Sequence, residues 1–342
     1  MILKHTTSST TWKINAAFVA VIGVVLVVAI NPALLSTSLP SQIEGIHPFK
    51  TMLIGIVLEA MPFLLLGVIV SSFMQVFIPE SWIRRIMPRN PLLGVLAACL
   101  LGIVFPVCEC GLIPIVRRLV SKGMPLYVGV TFFLAGPIVN PVVYSATFAA
   151  FRTRPEMVYS RMGLAIAVSA VIGLIVYFFI KQNPMKNTGE ALTTHSPIGT
   201  YQQAPPRNKL DEVMRHAGGE FFDMGKYLIL GSMITAFIQA FIPRSELISI
   251  GQGDFGSHFF MMGFAFILSL CSTSDAFVAS SFMSTFSASS LLTFLVFGPM
   301  LDLKGTLMLL SVFKAKFVFF LAIVISITVL AGSVIAGNLF LR

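Results

Sequence analysis

Long apolar runs alternate along this chain with short basic or polar stretches, and several runs are interrupted by proline, glycine and ionisable residues. The first run, Ile14 to Leu35, follows Lys4 and Lys13 and reaches Asn31-Pro32 without a small-residue cleavage site. It predicts an uncleaved anchor helix rather than a signal peptide. Met52 to Ile78 predicts a second span, which carries Glu59 and precedes Arg84, Arg85 and Arg89. Leu92 to Phe105 and Leu112 to Leu119 flank the segment Pro106 to Gly111, and both outer ends are basic. That pattern fits a hairpin or two short helices. Leu126 to Phe151 is broken at Gly136-Pro137 and Asn140-Pro141, and Met157 to Ile180 is again continuous. Lys181 to Glu220 turns to Asn, Thr, Pro, Gln and charge, the composition of a flexible cytoplasmic linker. Apolar character then resumes as far as Phe340, interrupted around Arg244 to Ser257 and at Lys314 and Lys316.

The two apolar halves match each other. Leu64 to Ser81 aligns with Leu228 to Ser245, so that Gly67 meets Gly231, Gln75 meets Gln239 and Pro79 meets Pro243. Further on, Cys108 falls on Cys271 and Gly136-Pro137 on Gly298-Pro299. Phe-Arg-Thr-Arg at 151–154 falls on Phe-Lys-Ala-Lys at 313–316. The polar residues pair as well, Glu59 with Asp223 and Asn140 with Asp302. Apolar composition alone would not align glycines, prolines and a cysteine together. Duplicated halves with broken helices at matching places are the signature of a secondary transporter whose site lies between the repeats. The loop at Arg84 to Arg89 is basic, whereas its counterpart at Arg244 to Asp254 has one arginine and two acids, which favours inverted halves.

The expected fold class is therefore an all-α polytopic membrane protein. It has two internal repeats, inverted, with broken or re-entrant helices and an N-terminal anchor helix. Residues 1–50 form the anchor and an external loop, 51–181 the first repeat, 182–219 the linker and 220–342 the second repeat. Composition agrees: 56% of the 342 residues are hydrophobic and 11% charged, against roughly 25% charged in soluble domains. The net charge of +9 would suggest nucleic acid, but most basic residues lie at the ends of apolar runs, where the positive-inside rule places them. All four cysteines lie in apolar stretches, against a secreted disulfide framework, and the five histidines fall outside or at the edges of the runs.

Candidate chemistry concentrates at the breaks. Cys108-Glu109-Cys110 sets two thiols beside a carboxylate, and thiolates suit soft metals and metalloids. Positions i and i+2 share no helix face, but the Pro106 to Gly111 break could let the sulfurs converge. An ionisable residue at membrane depth is costly, which makes Glu109 a functional candidate. In the second half, Cys271, Ser272, Ser274 and Asp275 offer a thiol, hydroxyls and a carboxylate. Against this, buried cysteine often packs as a small hydrophobe, the reading adopted for Cys99. Serines often only mediate close helix packing, and a proline kink need bind nothing. The later breaks, Gly136, Pro137 and Asn140 with Gly298, Pro299 and Asp302, recur in both halves together with a polar residue. Glu59 and Asp223 are candidates for proton coupling or are simply hydrated near the interface.

Taken together, CECGLIPIVRRL, the GPIVNP break and CSTSDAF resemble the ArsP/YraQ-like group of permeases, nearest its YcgR branch, over about Thr51 to Leu330. The resemblance implies a membrane transporter; ArsP-type members export trivalent organoarsenicals. Such members tend to have Cys-Ser-Cys where this chain has Cys108-Glu109-Cys110, and the added carboxylate suits a charged metal ion. The YcgR branch implies metal handling alongside a separate partner protein. The expectation is thus a multi-pass permease of a bacterial inner membrane, not an enzyme, without cofactor. It would move a small soft species, with Cys108, Cys110 and Cys271 as ligands of the transported ion. A membrane thiol-redox protein using the Cys-x-Cys pair, or a membrane subunit acting with a partner, are the alternatives.

Overall fold

The computed structural model describes residues 46–77, 79, 83, 90–104, 107–180, 184–185, 209–241 and 256–340. The anchor expected over Ile14 to Leu35, the arginine loop at 84–89 and most of the linker lie outside them. Twelve helices are described: α1 (Ile46–Phe77), α2 (Pro91–Val104), α3 (Glu109–Ser121), α4 (Leu126–Ala135), α5 (Pro141–Ala150), α6 (Pro155–Phe179), α7 (Lys209–Phe241), α8 (Gly256–Leu268), α9 (Ser274–Ser281), α10 (Ala288–Met300), α11 (Leu303–Val312) and α12 (Ala315–Phe340). Among the described residues, five segments are long and apolar enough to cross a membrane: Pro48–Phe77, Pro155–Phe179, Glu212–Ala240, Ala288–Val312 and Ala315–Leu339. The first helix of each half, α1 and α7, is long; the middle of each half is cut into short pieces; α6 and α12 are long again.

The cuts fall where the sequence is least compatible with continuous helix. One helix, α2, ends at Val104 and α3 begins at Glu109, Gly136 to Asn140 separates α4 from α5, and Leu301-Asp302 separates α10 from α11. At two of these breaks a side chain restarts the ladder. Asn140 accepts from Val143 N at 2.9 Å and donates to the Gly136 carbonyl at 3.1 Å, capping α5. Asp302 accepts from Gly305 N at 2.7 Å and caps α11. An N-cap of this type satisfies helix-end amides that lipid could not. Pro299 lies inside α10, one turn ahead of that break. The expected linker boundary falls within α7, which already begins at Lys209. Near the start of the linker, Met185 pairs with Phe313 as an isolated antiparallel bridge, and Lys314 N donates to the Pro184 carbonyl at 3.0 Å.

Helices meet their matched counterparts: α1 packs along α7, α6 along α12, and α4 meets α10. Between the halves, α3 contacts α11 and α5 contacts α9. Without water to drive association, such packing relies on small residues that let backbones approach. Gly67 of α1 shows this: a Cβ there would fall on the backbone of Gly111 in α3. Its counterpart Gly231 in α7 faces α11, where a Cβ would lie 2.8 Å from Lys304 Cα. Two matched glycines on paired helices thus draw in α3 and α11, the segments that carry the charged residues described next.

Candidate functional site

Cys108 sits outside α3 as its N-cap, with extended backbone (φ −71°, ψ 168°), and Glu109 and Cys110 form its first turn. The extended backbone at Cys108 sets its thiol and that of buried Cys110 close enough to interact electrostatically, on either side of Glu109. Glu109 is 3% exposed, and its carboxylate stands at the helix N-terminus, where the helix dipole favours negative charge. Its Oε1 lies 3.4 Å from the ammonium of Lys304, from the second half. The same ammonium lies 3.7 Å from Asp302 Oδ2 and donates to the Ser269 carbonyl at 2.9 Å. Two buried carboxylates therefore share one buried ammonium, and no described residue donates a hydrogen bond to Glu109 Oε2.

Cys271 lies on the turn between α8 and α9 and interacts electrostatically with Glu109 and Cys108 across the halves. Its thiol accepts from Thr273 Oγ1 at 3.7 Å. The turn starts at Ser269, which has φ +47°, a left-handed conformation that costs a non-glycine residue roughly 1–3 kcal/mol. Hydrogen bonds offset that strain: Leu303 N donates to Ser269 Oγ at 3.1 Å, and Lys304 holds the carbonyl. On the far side of Cys271, fully buried Arg161 of α6 donates through Nη2 to the Ser272 carbonyl at 3.0 Å and to both oxygens of Asp275 at 3.0 and 2.8 Å. Its Nη1 donates to Thr147 of α5 at 2.8 Å. The carbonyls either side of Cys271 are thus each held by a buried cation, one from each half.

Of the sequence candidates, the structure brings Glu109 and Asp302 to one buried ammonium, with half-buried Cys108 and buried Cys110 flanking Glu109, and sets Cys271, Ser272 and Asp275 on the turn that Lys304 and Arg161 hold. Asn140, Gly136 and Pro137 form the cap of α5, and a Cβ added at half-buried Gly298 would make ordinary van der Waals contact with the Ala265 methyl at 3.5 Å. Glu59 and Asp223 are exposed. Glu59 accepts from Ser274 Oγ at 3.3 Å, and Asp223 pairs with Lys226 at 3.3 Å. Among the described residues no group of three or more His, Cys, Asp or Glu side chains is arranged to hold a metal ion.

Sequence reasoning missed Lys304, Arg161 and Ser269. It also missed Glu220, which accepts from Ser71 Oγ at 2.9 Å and lies 3.5 Å from Arg118, joining α1, α3 and α7. A basic residue within an apolar run was available as a signal for Arg161 and Lys304, under the rule already applied to Glu109.

The chain matches, over residues 46–338, the ArsP_1 family, described as "Predicted permease". The chain belongs to this family. The permease is 50% identical over 286 residues to the UPF0718 protein YcgR of Bacillus subtilis, covering 84% of this chain and 96% of that one. It is 37% identical over 265 residues to a Streptococcus mutans protein named "Putative two-component membrane permease complex subunit", covering 78% and 87%. A shorter match, 26% over 133 residues, links it to the UPF0718 protein YraQ of Escherichia coli, covering 39% and 36%. No solved structure matches it. The permease is a multi-pass membrane protein of transport function rather than an enzyme.

Proposed function

We propose that this permease exports a small, soft, thiol-seeking species, a metal cation or an organometalloid, through the buried region between its halves. The observation that supports this reading is that Glu109, set between Cys108 and Cys110, shares the Lys304 ammonium with Asp302, and that the same ammonium holds the turn leading to Cys271. Sulfur supplies affinity for soft ions, and the surplus carboxylate supplies charge. The halves are inverted, and their relative movement opens the site to either side in turn, while the linker stays cytoplasmic. Glu59 and Asp223, matched on α1 and α7, are the proton carriers. As the name of the Streptococcus relative suggests, a second membrane component works with this chain.

The test is flux into inverted vesicles across a panel of Cd2+, trivalent arsenicals and thiol compounds, with and without a proton gradient. At least one soft species is expected to be transported by the wild type. Cys108→Ser and Cys110→Ser should each lower that flux about ten-fold or more, because oxygen is a poorer ligand for soft ions. Cys99→Ser, a packing residue, should transport normally. Normal flux in both motif variants would remove sulfur ligation from the mechanism. A dithiol–disulfide cycle, the redox alternative, predicts instead that membrane-permeant reductant abolishes activity without any species moving.

A further inference from the structure

We propose that Lys304 is a tethered counter-ion: its ammonium fills a cation seat between Glu109 and Asp302, and a cationic cargo takes that seat by displacing it. This rests on the reading of the region as the permeation site and narrows the cargo to a species carrying positive charge. Three observations lead to it. The ammonium lies 3.4 Å from Glu109 and 3.7 Å from Asp302, ion-pair distances rather than close hydrogen bonds, while its hydrogen bond at 2.9 Å goes to the Ser269 carbonyl. The neighbouring buried cation, Arg161, is already matched by Asp275, so it leaves the two-carboxylate cluster uncompensated apart from Lys304. Finally, the carbonyl that Lys304 holds belongs to Ser269, the one described non-glycine residue with positive φ, two positions before Cys271.

These facts link charge to shape. While Lys304 occupies the seat, it restrains Ser269 and keeps Cys271 buried at 9% exposure. When a cargo cation engages Glu109 and Asp302, the ammonium is repelled, Ser269 loses the donor on its carbonyl, and the turn carrying Cys271 is released on that side. Arg161 still holds Ser272, so the turn pivots rather than detaches. A cationic cargo therefore presents itself with the second half's thiol at the moment it takes its charge partners.

The first measurement needs no cargo. In full-length protein whose only cysteine is Cys271, Lys304→Gln should accelerate N-ethylmaleimide alkylation about ten-fold, as expected for opening of a restrained segment. Lys304→Arg should restore slow labelling, and a protein with Cys99 alone should be unaffected by Lys304→Gln. If Lys304→Gln does not fold, the triple replacement Lys304→Met, Glu109→Gln, Asp302→Asn buries no charge and should label equally fast. Unchanged Cys271 labelling, or equal acceleration at Cys99, overturns the proposal. The second measurement is equilibrium binding of radiolabelled Cd2+ to detergent-purified protein with all four cysteines. Lys304→Gln should bind about ten-fold more tightly, since a like charge has left the seat. Unchanged or weaker Cd2+ binding overturns the displacement. Absence of flux in vesicles would count against the proposed export of a soft species alone and would leave the labelling result standing.

Discussion

At the scale of single residues, the strongest commitment in the molecule is the pair Arg161 and Asp275, both buried and joined at 2.8 Å. Removing one partner of such a pair leaves an uncompensated charge in a medium that solvates it poorly, a loss of about 3–5 kcal/mol. Asp275→Asn and Arg161→Met should each lower the thermal unfolding midpoint of the detergent-purified protein. The double replacement Arg161→Met with Asp275→Leu should be less destabilised than either single, because it buries no lone charge. Additive losses would mean that the two residues act separately. This pair also shows what the sequence concealed. Asp275 and Glu109 were legible because an acid inside an apolar run has no topological explanation. Arg161 and Lys304 carried the same signal but an ambiguous one, because a basic residue can also be accounted for as an end marker under the positive-inside rule. Only distance separates the two meanings, and distance to a carboxylate more than a hundred positions away is not written in local pattern.

At the scale of helices, the approach of α1 to α3 depends on Gly67 and Gly111. Gly67→Ala puts a methyl group against backbone that cannot rotate away, so it should push α3 outward and displace Glu109 from Lys304. The expected result is a drop in folded yield on size-exclusion chromatography and loss of flux in whatever protein remains. Gly163→Ala in α6 is the opposite case, since an added Cβ meets nothing within 4 Å. Helix propensity alone should then make it neutral or more stable by up to about 1 kcal/mol. The breaks that shape these short helices were readable because proline, glycine and a capping Asn or Asp all act locally. The start of α7 was not. Its first turns, from Lys209, are charged enough to resemble linker, yet Val213, Ala217, Glu220 and Met224 lie buried on one face at spacings of three and four. A helix that emerges from the apolar layer keeps its period after it has lost its hydrophobicity, and composition was the wrong measure there.

At the scale of the molecule, the halves hold together through packed pairs of helices rather than through the covalent connection, apart from the bridge between Met185 and Phe313. Expressing 1–195 and 196–342 as separate chains should therefore give a complex that co-purifies and transports. Beginning the second fragment at residue 220 should fail, because it removes the first turns of α7, including buried Val213 and Ala217. Co-purification that survives the shorter fragment would show those turns to be dispensable. One further property follows from how the charges are distributed. Arg161, Asp275 and Lys304 stand opposite Ile323, Leu112 and Val142 at the matched positions of the other half. A homodimer of identical subunits must place every side chain twice, so each buried ion would incur its desolvation twice across the axis. Two halves in one polypeptide carry no such obligation: each ion is buried once, its matched position in the other half is aliphatic, and it meets instead a charge of opposite sign contributed by the other half.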